Sequence, residues 1–374
     1  MPYGTINVDT VTTSTTGGIL GAGNASIMKN RIINGAMVID QRNAGASVTL
    51  PDGAGSYSFV TDRWGCSRAA GATATGQQSS TAPTGFNNSL VITNGTGITV
   101  ASSGEGVILQ SIEGFNVADL GWGTANAKTI TVSFWVRSSI TGTHSGSLAN
   151  GSFNRCYPFS YTISAANTWE QKYVTIAGDT TGTWLTTNGR GVCLVFNNGS
   201  GSTFLGTANA WTATQLYGVT GSVALNSVTG STWYVTGVQL EVGSSATGFE
   251  YVNYQTSLAN CYRYFQSIAY SGNAILTIGL CTSTTVCEGT INLLQTMRSS
   301  PTITLPAAGQ TTGKISYLTS NGTYPSATGI NTPNNISVNN FTVSGTSYSA
   351  SFVLGNAGWL YANGAVTIQA SAEL

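Results

Sequence analysis

Few side chains in this sequence are equipped for chemistry, and their spacing narrows the options further. The one histidine, His144, lies in the small-residue stretch TGTHSGS. A Ser-His-Asp triad would have to recruit it, yet no GxSxG elbow is present. Its small neighbours predict a solvent-exposed loop. The six cysteines, Cys66, Cys156, Cys193, Cys261, Cys281 and Cys287, are scattered without a CxxC pair. That spacing fits neither a zinc site nor a dense disulfide scaffold. Buried free thiols in a protein made in the cytosol are the simpler reading, with a Cys281–Cys287 bridge across a hairpin as the alternative.

A glycosidase needs two carboxylates about 5–10 Å apart. The 13 acidic residues leave room for such a pair but are dispersed, and Asp52, Glu105 and Asp179 fall at turns or strand ends. Nothing singles out Glu113, Asp119 or Glu250 as catalytic. The Gly-rich GAGNAS lacks the lysine and the strand–helix context of a phosphate loop. The expectation is a non-enzyme without metal or cofactor.

Aromatic residues are the remaining candidates for function. Sugars have apolar ring faces that pack on aromatic rings, and loop tips carry binding. In the C-terminal part, Tyr317, Tyr324, Tyr348, Trp359 and Tyr361 are the expected carbohydrate- or receptor-binding set. The competing assignment for each is core or inter-subunit packing.

The elements that must hold these residues are strands. Only 7% of residues are charged, with zero net charge and 47 glycines, against roughly 25% charged residues in an ordinary globular protein. Ser, Thr, Asn and Gly in these amounts suit short strands and turns. No basic run could neutralise phosphates, which excludes a nucleic-acid partner. No apolar run approaches the roughly 20 residues of a membrane span, so membrane insertion is not expected. In ITVSFWVRSS, Ile130, Val132, Phe134 and Val136 share one face, while Thr131, Ser133, Trp135 and Arg137 share the other. Such alternation marks an antiparallel sheet with one buried face. Similar strands recur with turn signals between them, which predicts an all-β jelly-roll sandwich.

The segment WYVTGVQLEVGSSATGFEYVNYQTSLANCYRYF organises the chain. Tyr234, Val238 and Leu240 alternate like the inner face of a last strand. Leu258, Cys261, Tyr262 and Phe265 then follow at i, i+3, i+4 and i+7, an apolar stripe on a short helix. The expected division is an N-terminal arm over 1–28, a jelly roll over 29–252, a connector helix over 253–268 and a distal β-sandwich over 269–374. The helix is too short to stand alone. Three copies around an axis would bury its stripe, which predicts a homotrimer, and packing against the jelly roll of the same chain is the alternative.

The blocks NRIINGAMVIDQRNAG, DRW, IEGFNVADLGWGTANAKTITVSFWVRSSITGTHSGSL, WEQKYVTIAGDTTGTW and YVTGVQLEVGSSATGFEYVNYQTSLANCYRYFQ occur in that order over residues 29–266. They resemble a recurring module of bacteriophage tail-fibre and tail-associated receptor-binding proteins, as do TMRSSPTITL and the terminal ASAEL. The resemblance implies a jelly roll akin to carbohydrate-binding modules, in a trimeric virion tail protein assembled in the host cytoplasm. Residues 1–28 would dock to the tail or baseplate, and the distal domain would meet a host surface glycan or other receptor. Related modules often hold a structural calcium, but the matching positions here are Ala36 or Met37, and Gly237, which offer no side-chain oxygen. Asp40, Asp62 and Glu241 are more simply turn, rim or ion-pair residues. Phage depolymerases usually use β-helices with regular repeats, and no repeat is found. A depolymerase tailspike and a stand-alone carbohydrate-binding module are the alternatives.

Overall fold

The computed structural model describes residues 28–308, 313–319, 330–346 and 353–374. The strands before the helix are β1 (Val48–Thr49), β2 (Ser58–Thr61), β3 (Trp64–Cys66), β4 (Ala74–Ser79), β5 (Ser89–Asn94), β6 (Val107–Glu113), β7 (Ile130–Ser138), β8 (Gly142–Asn150), β9 (Cys156–Ile163), β10 (Glu170–Ile176), β11 (Arg190–Asn197), the short β12 (Leu205–Gly206) and β13 (Gly218–Val219), and the long β14 (Thr232–Val242). Two six-stranded sheets form, in the orders β1-β4-β5-β14-β7-β10 and β2-β3-β6-β11-β8-β9. They face each other as the jelly-roll sandwich. Val132, Phe134 and Val136 of the first sheet and Leu194 and Phe196 of the second are fully buried between them. Phe196 sits at the centre, with ring centroids 5.0 Å from Phe134 and 5.2 Å from Trp233. Burying each such side chain contributes roughly 1.5–3 kcal/mol.

The two outer faces differ. On the second sheet, Val107, Leu109, Cys193 and Val195 point outward, but Phe204 and Tyr217 fold over them and form a satellite core. On the first sheet the outward Val91, Ser133, Thr236 and Gln239 are buried, Gln239 beneath the segment that carries Gly248 and Glu250, while Trp135, Arg137, Gln171 and Tyr173 keep open surface.

His144 is not in an exposed loop. It lies on β8, fully buried, with its Nε2 2.9 Å from the Ile140 carbonyl and its ring stacked on Tyr161. The small residues around it serve packing: a Cβ on Gly146 would come within 2.6 Å of the Phe159 ring. Burial lowers the His144 pKa, which the Ile140 carbonyl only partly offsets.

On β14 the inward residues are Trp233, Val235, Val238 and Leu240. Tyr234 points outward, contrary to the alternation read through Val238. The pairing with β7 slips between Thr236 and Gln239. Gly237 adopts φ +60° there, a bulge that changes the phase of the strand.

The helix α1 (Tyr254–Tyr262) is capped by Asn253, whose side chain accepts from the Thr256 amide at 2.8 Å. It is shorter than the expected 253–268. After it come β15 (Phe265–Tyr270), β16 (Ala274–Cys281), β17 (Val286–Asn292), β18 (Thr302–Thr304), β19 (Lys314–Thr319), β20 (Ile330–Asn334), β21 (Asn340–Thr346), β22 (Ala357–Asn363) and β23 (Val366–Ser371). A three-stranded sheet, β15-β23-β18, and a six-stranded sheet, β19-β22-β16-β17-β21-β20, enclose a second core that includes Ile268, Ile315, Phe341, Leu360 and Ile368. Strand β20 lies in a stretch rich in Asn, Thr and Pro. It is an edge strand, where Pro333 is tolerated.

Cys281 and Cys287 face each other across β16 and β17 and form a disulfide, correcting the free-thiol reading for that pair. The other four cysteines are buried and free.

The two domains share a buried ionic seam. Glu113 on β6 accepts from Arg263 Nε at 2.8 Å, from the Arg263 fork at 2.5 Å and from the Tyr264 hydroxyl at 2.8 Å. Glu373, near the C-terminus, pairs with Arg63 and Arg42. The Arg63 and Arg42 guanidinium groups lie 3.5 Å from the Tyr264 and Phe265 ring centroids, respectively. Burial lowers both arginines to a pKa of about 10.

Candidate glycan-binding face

Of the five residues expected at a binding tip, three lie among the described residues. Tyr317 is buried in the distal core, its hydroxyl donating to the Val343 carbonyl at 2.7 Å. It packs the fold and is not accessible to a ligand. It shares the inward face of β19 with Ile315, with Ser316 between them. Tyr324 and Tyr348 lie outside the described residues. Trp359 and Tyr361 are half-buried on β22, opposite Ile278 and Ile275 of β16.

The stripe assigned to a trimer axis is divided as well. Cys261 and Phe265 are buried within the chain, and Leu258 and Tyr262 are half-buried. Phe265 is not helical, since it opens β15 and pairs with Ser371. Its ring is covered by Arg42 of the jelly roll.

Trp135, Trp169, Tyr173 and Tyr234 bring accessible aromatic rings together on the outward face of the first jelly-roll sheet. Register places its outward residues in rows across the strands. One row runs Gln77, Val91, Tyr234, Arg137. The next contains Thr236, Trp135 and Gln171, and the third Gln239, Ser133 and Tyr173. Trp169, just before β10, closes the first row with its ring 6.1 Å from Tyr234. Trp135, Trp169 and Tyr234 are half-buried, so each is held by its neighbours yet keeps a ring surface open. Tyr173 is 69% exposed.

Polar groups lie among these rings. The Arg137 guanidinium sits 4.8 Å from the Tyr234 ring centroid and donates through Nε to the Asn167 carbonyl at 2.9 Å. Arg137 is half-buried, and Gln171 is exposed beside Trp135. Rings for stacking and amide or guanidinium donors for hydroxyls are the combination that recognises sugars.

The face continues into a cleft. A Cβ on Gly237 would meet Phe86 at 2.6 Å and Trp135 at 3.1 Å, so these two rings adjoin over the bulge. Phe86, Phe249 and Tyr251 interlock, with centroids 5.0–5.6 Å apart. They form one wall of a cavity of about 470 Å³ whose other walls include Arg31, Tyr254 and Asn260.

Carboxylates near this face already have partners. Glu241 accepts from Gln239 and Thr247, and Glu170 from Lys172 and the amides of Ser164 and Ala165. Burial raises the Glu170 pKa, but Lys172 and the two amides more than offset it, so the carboxyl lies below its usual range. Glu250 accepts from the Asn30 amide at 2.6 Å. Asp40 and Asp62 likewise serve turns: Asp40 accepts from the Asn43 and Gly45 amides, and Asp62 from Gln41. Among the described residues, no three His, Cys, Asp or Glu side chains converge as a metal site.

Trp135 and Arg137 were visible in the sequence as members of the polar face of an alternating strand. A tryptophan placed where water should be is the signal that points to this site. Trp169 and Phe86 carried no such signal, because both lie outside regular strands and reach the face only through tertiary packing.

No family model matches the chain, and no curated protein matches it. Solved structures similar to it include the enzymatically active domain of tailspike protein 4 of bacteriophage CBA120, at 11% identity and TM-score 0.29 over 57% of this chain. The chain spans 22% of the length of that domain. A family 11 carbohydrate-binding module from Clostridium thermocellum, in complex with a β-1,3-1,4-mixed-linked tetrasaccharide, aligns at 13% identity and TM-score 0.27, covering 54% of this chain and 98% of the module. A third is a xylanase from the same organism complexed with xylohexaose, at 11% identity and TM-score 0.27, covering 54% of this chain and 30% of that one.

Proposed function

We propose that the chain is a structural, non-catalytic component of a bacteriophage tail fibre, a homotrimer that binds a glycan on the host surface. Residues 1–28 dock it to the tail or baseplate, and the jelly roll contributes the sugar-binding face. The observation that carries the binding role is the row of Tyr234, Arg137 and Trp169, with Trp135 beside it, on the outward face of the first jelly-roll sheet. The tail-fibre assignment rests on the ordered sequence blocks over residues 29–266. A glycan footprint on this face moves the expected contact from the distal tip to the sandwich.

Three experiments test the reading. Binding of the full chain to an array of bacterial surface polysaccharides should be lost on Trp135→Ala. Incubation with a bound polysaccharide should release no reducing sugar. Reducing-sugar release would replace the non-catalytic reading with a depolymerase. Deleting residues 1–28 should leave a folded, glycan-binding protein that no longer enters phage particles.

A further inference from the structure

The cavity where the two domains meet carries open apolar surface. Met28, Tyr251, Val252 and Tyr254 line it with 42%, 64%, 50% and 57% of their surfaces exposed. Large apolar side chains left open around a concave space mark a ligand site. The aromatic wall is set in advance. The Tyr251 hydroxyl donates to the Gly85 carbonyl at 3.1 Å, and its ring packs on Phe86 and Phe249. Both domains contribute: Phe86 and Asn87 come from the jelly roll, Tyr254 and Asn260 from α1, and Gln295 from the segment after β17. At about 470 Å³, the space falls within the roughly 300–1,000 Å³ of small-ligand sites.

The polar groups of the lining divide into two sets. Asn30 serves the fold: its amide donates to the Val238 carbonyl, and its side-chain oxygen accepts from the Ile32 and Leu240 amides. Asn87, Asn260 and Gln295 are exposed, and among the described residues their side chains hold no hydrogen bond. The charged groups of the lining are engaged. Arg31 donates to the Asn116 carbonyl and pairs with Asp119, Arg263 pairs with Glu113, and Glu250 accepts from the Asn30 amide. No unpaired cation is left in the lining to hold an acidic sugar. Aromatic walls with unused carboxamides suit an uncharged group that has an apolar end and a carbonyl.

We propose that this cavity takes the acetyl group of an acetylated sugar, so that the glycan recognised by the chain is one that carries N- or O-acetyl groups. Both kinds present the same methyl and carbonyl. The methyl meets the Tyr251 and Tyr254 rings, and the carboxamide of Asn260 or Gln295 donates to the carbonyl. The proposal deepens the glycan-binding reading and rests on it for the remainder of the ligand. Phe86 is shared between the two places, since it walls the cavity and adjoins Trp135 over the Gly237 bulge. A glycan whose acetylated sugar enters the cavity therefore lays its next units on the Trp135 and Tyr234 face.

The test is saturation-transfer NMR of the full chain with the methyl glycosides of glucose, 6-O-acetylglucose, N-acetylglucosamine and N-acetylgalactosamine. It compares the wild type with the double variant Tyr254→Ala, Asn260→Ala. Both residues are exposed on α1 and alanine favours a helix, so the fold should survive, as checked by thermal melting. In the wild type the acetyl methyl should receive the strongest saturation, and an acetylated glycoside should bind about tenfold tighter than the glucoside. The double variant should lose that preference. A response confined to the N-acetyl or to the O-acetyl glycosides supports the proposal and names the source of the group. A wild type without the preference, or a double variant that keeps it, overturns the proposal. Polysaccharide binding that depends on Trp135 but shows no acetyl preference leaves the face standing and overturns the cavity; an acetyl preference without polysaccharide binding does the reverse.

Discussion

Replacing Glu113 by Gln should loosen the seam between the jelly roll and the distal domain. The Glu113 carboxylate is 1% exposed and accepts three hydrogen bonds, two from Arg263 and one from Tyr264. Glutamine keeps the shape but removes the charge and places an amide donor where one guanidinium donor now points. Breaking a buried ion pair by removing one partner costs about 3–5 kcal/mol. Arg263 is 34% exposed, so water recovers part of its solvation and about 2–4 kcal/mol is expected. Thermal unfolding should shift downward by roughly 4–16 °C, taking about 2–4 °C per kcal/mol for domains of this size. The double variant with Arg263→Gln should be less than additive, with a coupling of about 1–3 kcal/mol. A loss below about 0.5 kcal/mol for Glu113→Gln, or strict additivity, would refute the view that this pair holds the two sandwiches together.

Gly237→Ala should cost about 1–3 kcal/mol, since it forces a side chain into a positive-φ bulge and against Phe86; it should also weaken glycan binding by displacing that ring, which parallel melting and binding assays would show. Asp179 gives a pH prediction. Burial raises its pKa, but the Arg155 fork and the Thr181 amide and hydroxyl pull it lower still, for a net value below the usual one. Its contribution is therefore present above the unfolded-state pKa near 4 and lost as pH falls through the lower folded value. Acid melts should show a smaller loss of stability below about pH 4 for Asp179→Asn than for the wild type. Cys281→Ser should destabilise the distal sandwich by about 2 kcal/mol, the chain-entropy value for so short a loop, with little change in the jelly-roll transition.

Most of the architecture was legible because the jelly-roll strands alternate cleanly. Ile130, Val132, Phe134 and Val136 announced their buried face, and the spacing of Leu258, Cys261 and Tyr262 announced the helix. The phase of β14 was misread past Gly237, because a bulge adds a residue without changing the apolar pattern. His144 was misplaced because small residues signal turns when exposed and close packing when buried, and sequence alone does not separate the two. The disulfide depended on register, which puts Cys281 opposite Cys287 only once β16 and β17 pair. The binding face was half-legible. Trp135 and Arg137 stood out on a polar face, whereas Tyr234, Trp169 and Phe86 joined them through a bulge, a loop and a tertiary contact. Tyr317 proved to be a core residue because an abundance of tyrosine says nothing about which side of a strand each one occupies.

The most direct measurement of the central claim is binding of the wild type, Trp135→Ala and Trp359→Ala to the same array of bacterial surface polysaccharides. The expected result is binding by the wild type and by Trp359→Ala, with a loss of at least tenfold for Trp135→Ala at unchanged melting temperature. Binding that survives Trp135→Ala and is lost with Trp359→Ala would contradict it and return the receptor site to the distal domain.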